Sequence, residues 1–207
     1  MPATLFKTGP TGPKVDAAFM FLGCSSLNSI GNFLNTGGNF INMDYMFLND
    51  TGITTIPEGV LTNAVDSGLT SAVGLFAGCT GIKKLPTKLY DNKITNNTSW
   101  AEGTENSSSK INLCSLFANT SLGAYGQNET KDDREYIPAT LFSGIKERVS
   151  KLGTSKTLTT WEGVTPAKNF ISFLGAFSNT QLVGFKTLED SPFEDMTNLE
   201  DISGLFA

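Results

Sequence analysis

The chain contains no histidine. That removes the commonest general base and the commonest metal ligand, and with them Ser-His-Asp and Cys-His nucleophilic arrangements. Cysteine is scarce: Cys24, Cys79 and Cys114, with no CxxC pair to seed a zinc site. No GxGxxG or GxxxxGK[ST] segment is present to cradle a phosphate. No run of eighteen apolar residues occurs, so nothing reads as a membrane-spanning helix, and no secretory leader is visible. Positive charge is also thin. Fifteen Lys and Arg face twenty Asp and Glu, a net charge of −5. Without a basic cluster, this argues against nucleic acid or an acidic membrane surface as partner.

The acidic groups that remain are weak candidates for chemistry. Asp132, Asp133 and Glu135 sit together in KDDRE, and Glu189, Asp190, Glu194 and Asp195 flank a turn. Paired carboxylates could serve a glycosidase, but both groups read as solvated loops. Neither LNDTG nor KDDRE has the acidic alternation of a calcium loop. No catalytic residue, metal site or cofactor is expected. The sequons at Asn49, Asn96, Asn97, Asn106, Asn119 and Asn128 read as compositional in a chain rich in Asn, Ser, Thr and Gly.

What the sequence does have is repetition. PATLF occurs at residues 2–6 and again at 138–142, a coincidence expected in roughly one such sequence in a hundred. Related words surround it: IPEGVL at 56–61, LPTKLY at 85–90, FLNDTGITTIP at 47–57 and FAGCTGIKKLP at 76–86. Six copies align on Phe21, Phe47, Phe76, Phe117, Phe177 and Phe206, at spacings of 26, 29, 41, 60 and 29. A period in this range is the mark of a repeat architecture.

The columns around that Phe carry physical meaning. Two positions after it stand Gly23, Asn49, Gly78, Asn119 and Asn179, residues that enter the left-handed conformation at low cost and commonly stop helices. Five positions before it stand Asp16, Asn42, Ser71, Asn112, Ser172 and Asp201, all good helix N-caps. A very short helix is therefore expected between cap and stop. Its Phe, usually with the preceding Met20, Met46, Leu75, Leu116 or Leu205, would point inward. Apolar pairs after the stop, such as Ile53 with Ile56 and Ile82 with Leu85, read as one strand per copy. That strand is ended by Pro57, Pro86 or Pro138. Apolar pairs beyond the proline, such as Val60 with Leu61, tuck a corner under the core. No such unit closes a core alone, so neighbours must stack. Stacking at about 4.8 Å places Cys24 and Cys79, two copies apart, at about 10 Å, too far for a disulfide. All three cysteines read as small core residues.

At MFLGCSSLNSI and LFAGCTGIKKLP the sequence resembles the BspA-like leucine-rich repeat family, whose pattern runs aromatic–Gly–Cys–x–x–Leu–x–x–Ile. The resemblance covers most of the chain, weakly over 91–112 and 143–169. Units here exceed that family's common length. The expected fold is an α/β repeat solenoid, leucine-rich-repeat-like, with one short parallel strand and one short helix in each of about six coils. Residues 1–207 form a single array. Met1 sits where the later copy has Ile137, and Ala207 falls just past Phe206. The chain is therefore expected to be a fragment or excerpt, or to have its ends covered by partner protein. The resemblance implies a module of a bacterial surface or phage virion protein, extracellular, engaged in adhesion or receptor binding.

Insertions mark 91–110, 126–136 and 143–169. The first and last each carry one of the two tryptophans, Trp100 in WAEG and Trp161 in WEG. Insertions in stacked repeats gather on one face, often the binding face. Trp100 and Trp161 are therefore candidate contacts for a protein or glycan receptor, although each ring packing back on its own unit is the plainer reading. A purely structural spacer or assembly element, or a glycan-active enzyme, are the alternatives.

Overall fold

A computed structural model of the chain describes residues 13–31, 34, 39–62, 64, 69–89, 111–127, 129–130, 134, 136–146, 151–152, 155–156, 163–166, 170–186, 192–193, 196 and 199–207. Its strands are short: β1 (Lys14–Asp16), β2 (Asn39–Asn42), β3 (Ile111–Asn112), β4 (Ser143–Lys146), β5 (Lys151–Leu152), β6 (Ser155–Lys156), β7 (Gly163–Pro166) and β8 (Phe170–Ser172). They pair two by two. β1 with β2 and β3 with β8 are parallel, whereas β4 with β7 and β5 with β6 are antiparallel within the 143–169 insertion.

The expected α/β repeat solenoid, leucine-rich-repeat-like with a strand and a helix in each coil, is not what forms. Among the described residues α-helical backbone is confined to Thr62 and Ala64, and parallel pairing is limited to short two-stranded pairs and single bridges. The strand positions differ as well. β1, β2, β3 and β8 precede or contain the cap column, while the post-stop residues 27–30 and 53–56 carry no strand.

The physical reason lies in where the amide hydrogens go. Between cap and stop, alternate N–H groups bond to the next copy instead of to a carbonyl four residues back. Ala17, Phe19, Phe21 and Gly23 donate to the carbonyls of Asn42, Asp44, Met46 and Leu48. Met43, Tyr45, Phe47 and Asn49 donate in turn to Ser71, Val73, Leu75 and Ala77, and the same four-bond set recurs at the remaining copies. The intervening amides close tight turns within a copy, as in Met20 to Ala17, Leu22 to Phe19 and Cys24 to Phe21. A helix needs every amide for its own ladder. Here half of them are committed elsewhere. Each cap-to-stop segment is thus a rung of three overlapping turns.

The cap column makes a continuous parallel line, Asp16–Asn42–Ser71–Asn112–Ser172–Asp201. Its side chains do cap, but they cap turns. Asp16, Asn42, Asn112, Ser172 and Asp201 each accept from the amide two residues on, the local bond that competes with helix. The stop column is left-handed throughout, with φ of 70° at Gly23, 64° at Asn49, 70° at Gly78, 58° at Asn119 and 54° at Asn179. A second left-handed column lies two residues before each Phe: Phe19, Tyr45, Gly74, Ser115, Gly175 and Gly204. Both columns fall at the third residue of a turn, where a type II turn demands positive φ. At Gly78 a Cβ would come within 2.0 Å of Asn49 Oδ1, so closeness of the rungs also selects glycine.

Phe21, Phe47, Phe76, Phe117, Phe177 and Phe206 stack in one column, at centroid separations of 5.5–5.6 Å over the first five and 6.0 Å for the last pair. Such offset ring pairs contribute about 0.5–1.5 kcal/mol beyond burial. The four rings from Phe47 to Phe177 are fully buried, whereas Phe21 and Leu205 are half-buried and Met20 and Phe206 are exposed. The inward-facing assignment therefore fails at the first and last described rungs, each of which has a described neighbour on one side alone. Beneath the column, Ile53, Ile82 and Leu122 together with Val60, Leu61, Leu89, Leu141 and Phe142 fill the rest of the core. Phe142, from the later PATLF, packs at 4.5 Å on Phe173. The first PATLF copy lies outside the described residues.

Position in the column sets the cost of losing a ring. Phe76→Ala is expected to lower the unfolding free energy by about 3–5 kcal/mol, measured by urea denaturation at low protein concentration. Phe206→Ala is expected to lower it far less. Equal losses at the two positions contradict the stacked column.

Candidate functional site

Two features of the described residues carry chemistry or an open face. The first is the column three residues after each spine Phe: Cys24, Asp50, Cys79, Thr120 and Thr180. Each rung brings this position close to the one before it. Thr120 and Thr180 satisfy their hydroxyls by donating to the carbonyls of Phe117 and Phe177, at 2.9 and 2.8 Å. The Cys79 thiol donates to the Phe47 carbonyl at 3.0 Å. Asp50 has no such solution. It is fully buried, and neither carboxylate oxygen has a hydrogen-bond partner among the described residues.

Burial pushes the Asp50 carboxyl up to about 6 from 3.8. The Cys24 amide, directed toward the carboxyl while its own bond goes to the Phe21 carbonyl, lowers it by a smaller amount. Burial likewise pushes the Cys79 thiol up to about 12; a backbone hydrogen bond at Asp50 works against this rise and the Asp50 charge adds to it. A thiol held that high is a protonated core group and a poor nucleophile at neutral pH.

The reading of all three cysteines as buried is corrected at two of them. Cys24 is exposed, with no described copy packed before it, and Cys114 is half-buried. The Cys114 Sγ lies 3.1 Å from Ser172 Oγ. No group of three or more Cys, Asp, Glu or His side chains able to hold a metal ion occurs among the described residues. Nor is any helix among them long and apolar enough to cross a membrane.

The second feature is the outer face of the first two rungs. Phe19 stacks on Tyr45 at 5.3 Å with an interplanar angle of 20°, and Phe19 is 54% exposed. The Tyr45 ring lies over Gly74, where an added Cβ would come within 2.6 Å of it. Asp44 Oδ1 beside this pair accepts from the Ser71 hydroxyl and, at 2.8 Å, from the Val73 amide, which fixes the second rung to the third. The result is an aromatic platform on a cross-bonded backbone. Sequence reasoning placed no contact here. The legible signal was the glycine at 74, 175 and 204, marking a left-handed column that in two rungs carries an aromatic ring instead.

The sequence-derived contacts are elsewhere. Trp100 and Trp161, with the insertion 91–110 and most of 143–169, lie outside the described residues, as do Asp132, Asp133, Glu135, Glu189, Asp190, Glu194 and Asp195. So do the sequons at Asn96, Asn97, Asn106 and Asn128. Of the 126–136 insertion, Glu129 accepts from the Gly126 amide and from Arg134, whose guanidinium sits 4.8 Å over the Tyr125 ring. Lys83 Nζ also lies 4.0 Å from Glu129 Oε1, which ties this loop to an earlier copy. Asn49 and Asn119 occupy the left-handed stop column, and the Asn179 side-chain Nδ2 donates to Asn119 Oδ1 at 3.0 Å.

Two measurements follow from the Asp50 column. An acid whose value is raised on folding imposes no penalty below its unfolded value of 3.8; the penalty grows as pH rises and is complete above about 6. The urea midpoint is therefore expected to fall between pH 4 and pH 7.5. Asp50→Thr, which installs the residue found in the fourth and fifth rungs, is expected to flatten that fall and exceed the parent at pH 7.5. A fall of the same size in both proteins means another group is responsible. Under native conditions a maleimide is expected to label Cys24 quickly and Cys79 after unfolding; equal rates contradict the burial of Cys79.

Comparison with known proteins found no matching family model, no matching curated protein and no matching solved structure.

Proposed function

We propose that this chain is a non-catalytic module of a bacterial cell-surface or phage virion protein, extracellular, that mediates adhesion or binds a protein or glycan receptor. The observation that carries this reading is the aromatic pair Phe19 and Tyr45, displayed on an outer face whose backbone is held by bonds between rungs. Rigid aromatic surface loses little entropy on contact, and it suits either a sugar ring or an apolar protein anchor. The likeness of MFLGCSSLNSI and LFAGCTGIKKLP to BspA-like sequence words points the same way. Among the described residues, the two groups pushed furthest from their ordinary values, Asp50 and Cys79, are buried inside the stack. A negatively charged chain without a basic cluster does not favour nucleic acid, and no membrane insertion is proposed.

A second reading, a structural spacer or assembly element, is favoured by a separate observation. The exposed large apolar side chains include Phe19, Met20 and Leu22 in the first rung and Ile202 and Phe206 in the last.

Binding to a glycan array and to host-surface extracts tests the receptor reading. The parent chain is expected to bind, and Phe19→Ala with Tyr45→Ala is expected to weaken binding at least tenfold. Trp100→Ala with Trp161→Ala tests the loops in the same assay; binding unchanged by that pair removes them from the contact surface. Turnover of a chromogenic glycoside, abolished by a single Asp→Asn change, overturns the non-catalytic reading.

A further inference from the structure

The six sequons read as compositional when their letters alone are counted, but the fold separates two of them from the rest. Asn49 and Asn119 stand in the stop column of the second and fourth rungs, each followed two residues on by a hydroxyl, Thr51 or Ser121. Both rungs have described neighbours on either side. The other four sequons lie outside the described residues.

A usable sequon sits on the surface, and its asparagine and hydroxyl must be presented together. One alternation in the rung meets both conditions. The middle residues, Asp50 and Thr120, are buried. Around them Asn49, Thr51 and Asn119 are exposed and Ser121 is half-buried. In the second rung the Thr51 N–H donates to the Asn49 carbonyl at 3.0 Å, which curls the hydroxyl residue back beside the asparagine.

The two ends of each side-chain amide are also sorted. Asn49 Oδ1 lies across Gly78, and Asn119 Oδ1 accepts from Asn179 Nδ2 at 3.0 Å. In both, the oxygen makes the contact with the next rung, and no described residue bonds to the nitrogen. The preceding member of the column is a glycine each time, Gly23 or Gly78, so no side chain of that column crowds the nitrogen from the earlier rung. A group added at Nδ2 replaces a hydrogen that these contacts do not use. Asn179 differs on both counts. Its nitrogen donates to Asn119, and Gln181 stands where a hydroxyl is needed.

We infer that Asn49 and Asn119 are acceptor sites for an N-linked sugar, delivered from a glycosyl diphosphate by a separate transferase. Asparagine Nδ2 bonds to the sugar C1 as the bond from C1 to the diphosphate oxygen breaks. The diphosphate leaves with that electron pair, and one Nδ2 proton passes to the transferase. The Oδ1 contacts survive the change. A bulky, solvated group then stands on the stop edge of each of these rungs. The inference does not depend on receptor binding.

The folded chain, incubated with sequon-reading transferases and mapped by peptide mass spectrometry, provides the test. One arm supplies a nucleotide-diphosphate hexose and the other a polyprenyl-diphosphate oligosaccharide. Asn49 and Asn119 are both expected to gain sugar in at least one arm, and the arm that fills them identifies the donor. Thr51→Ala and Ser121→Ala are each expected to abolish modification at the matching asparagine and spare the other. Gln181→Thr completes a third sequon, at Asn179. It is expected to fill several-fold less than Asn119, because its nitrogen must first give up a hydrogen bond. Both sites left bare in both arms, under conditions that modify free peptides carrying FLNDTGI and FANTSLG, overturns the proposal. Asn179 filled as fully as Asn119 also overturns it, since the letters and not their presentation then select the site.

Discussion

Division of the backbone amides between two jobs is the constraint on which the rest of this structure depends. From cap to stop, one amide bonds to the next rung and its neighbour closes a turn within its own. That alternation holds adjacent rungs close enough for the spine rings to stack face on face. It aligns the cap residues in one line and sets the left-handed positions at two fixed places per rung. Between cap and stop these bonds run from each copy to the next, whereas at the cap line Asn112, Thr70 and Asp201 donate back to Thr70, Ile41 and Ile171 of the preceding copy. Burial of the rings and of the aliphatic residues beneath them supplies the driving force, but the shared amides decide the geometry into which that force collapses the chain.

Left-handed backbone is the conformational cost of this arrangement. Three of the six residues two before the Phe are glycine, which meets it readily, while Phe19, Tyr45 and Ser115 do not. A bulky residue with positive φ is uncommon and is held in place by its surroundings. At Phe19 and Tyr45 those surroundings are the amide bonds to Asp44 and Val73 and the stacking of the two rings. The aromatic platform and the strained backbone are therefore one feature. The same logic reaches the core through Asp50, a carboxylate where other rungs place a thiol or a hydroxyl that can donate to the spine carbonyl. Among the described residues it is the single buried side chain without a partner. Its backbone joins the lattice of bonds, but burial of its carboxyl outweighs the small relief from the Cys24 amide.

Much of the order was legible in the letters, though its translation into secondary structure was not. Six phenylalanines in phase, a column of short polar residues before them and a Gly or Asn column after them could be read directly. The ring stack, the side-chain caps and the positive φ values fall on those columns. The helix between them was the error. Asn112 and Asn42 look the same whether they cap a helix or an Asx turn, since the bond from side-chain oxygen to the following amides differs by one residue. Gly74, Gly175 and Gly204, in the middle of the supposed helix, were the evidence against it. The platform of exposed Phe19 on half-buried Tyr45 could not be found from Trp-centred reasoning, because nothing in either residue type tells which way a left-handed backbone turns its side chain.

The sequence by itself determined the phase of the six phenylalanines, the residues that stack, the Gly and Asn column that turns left-handed after them and the absence of histidine. These are properties of residue type and spacing, and each acts over a few positions. Tertiary structure alone decided whether an amide bonds inside its segment or across to the next copy. That choice compares a local ladder with one whose partners lie 25 to 59 residues away, and no local propensity encodes the comparison. It settled turns over helices, put strands at the cap line and buried Asp50 inside the stack.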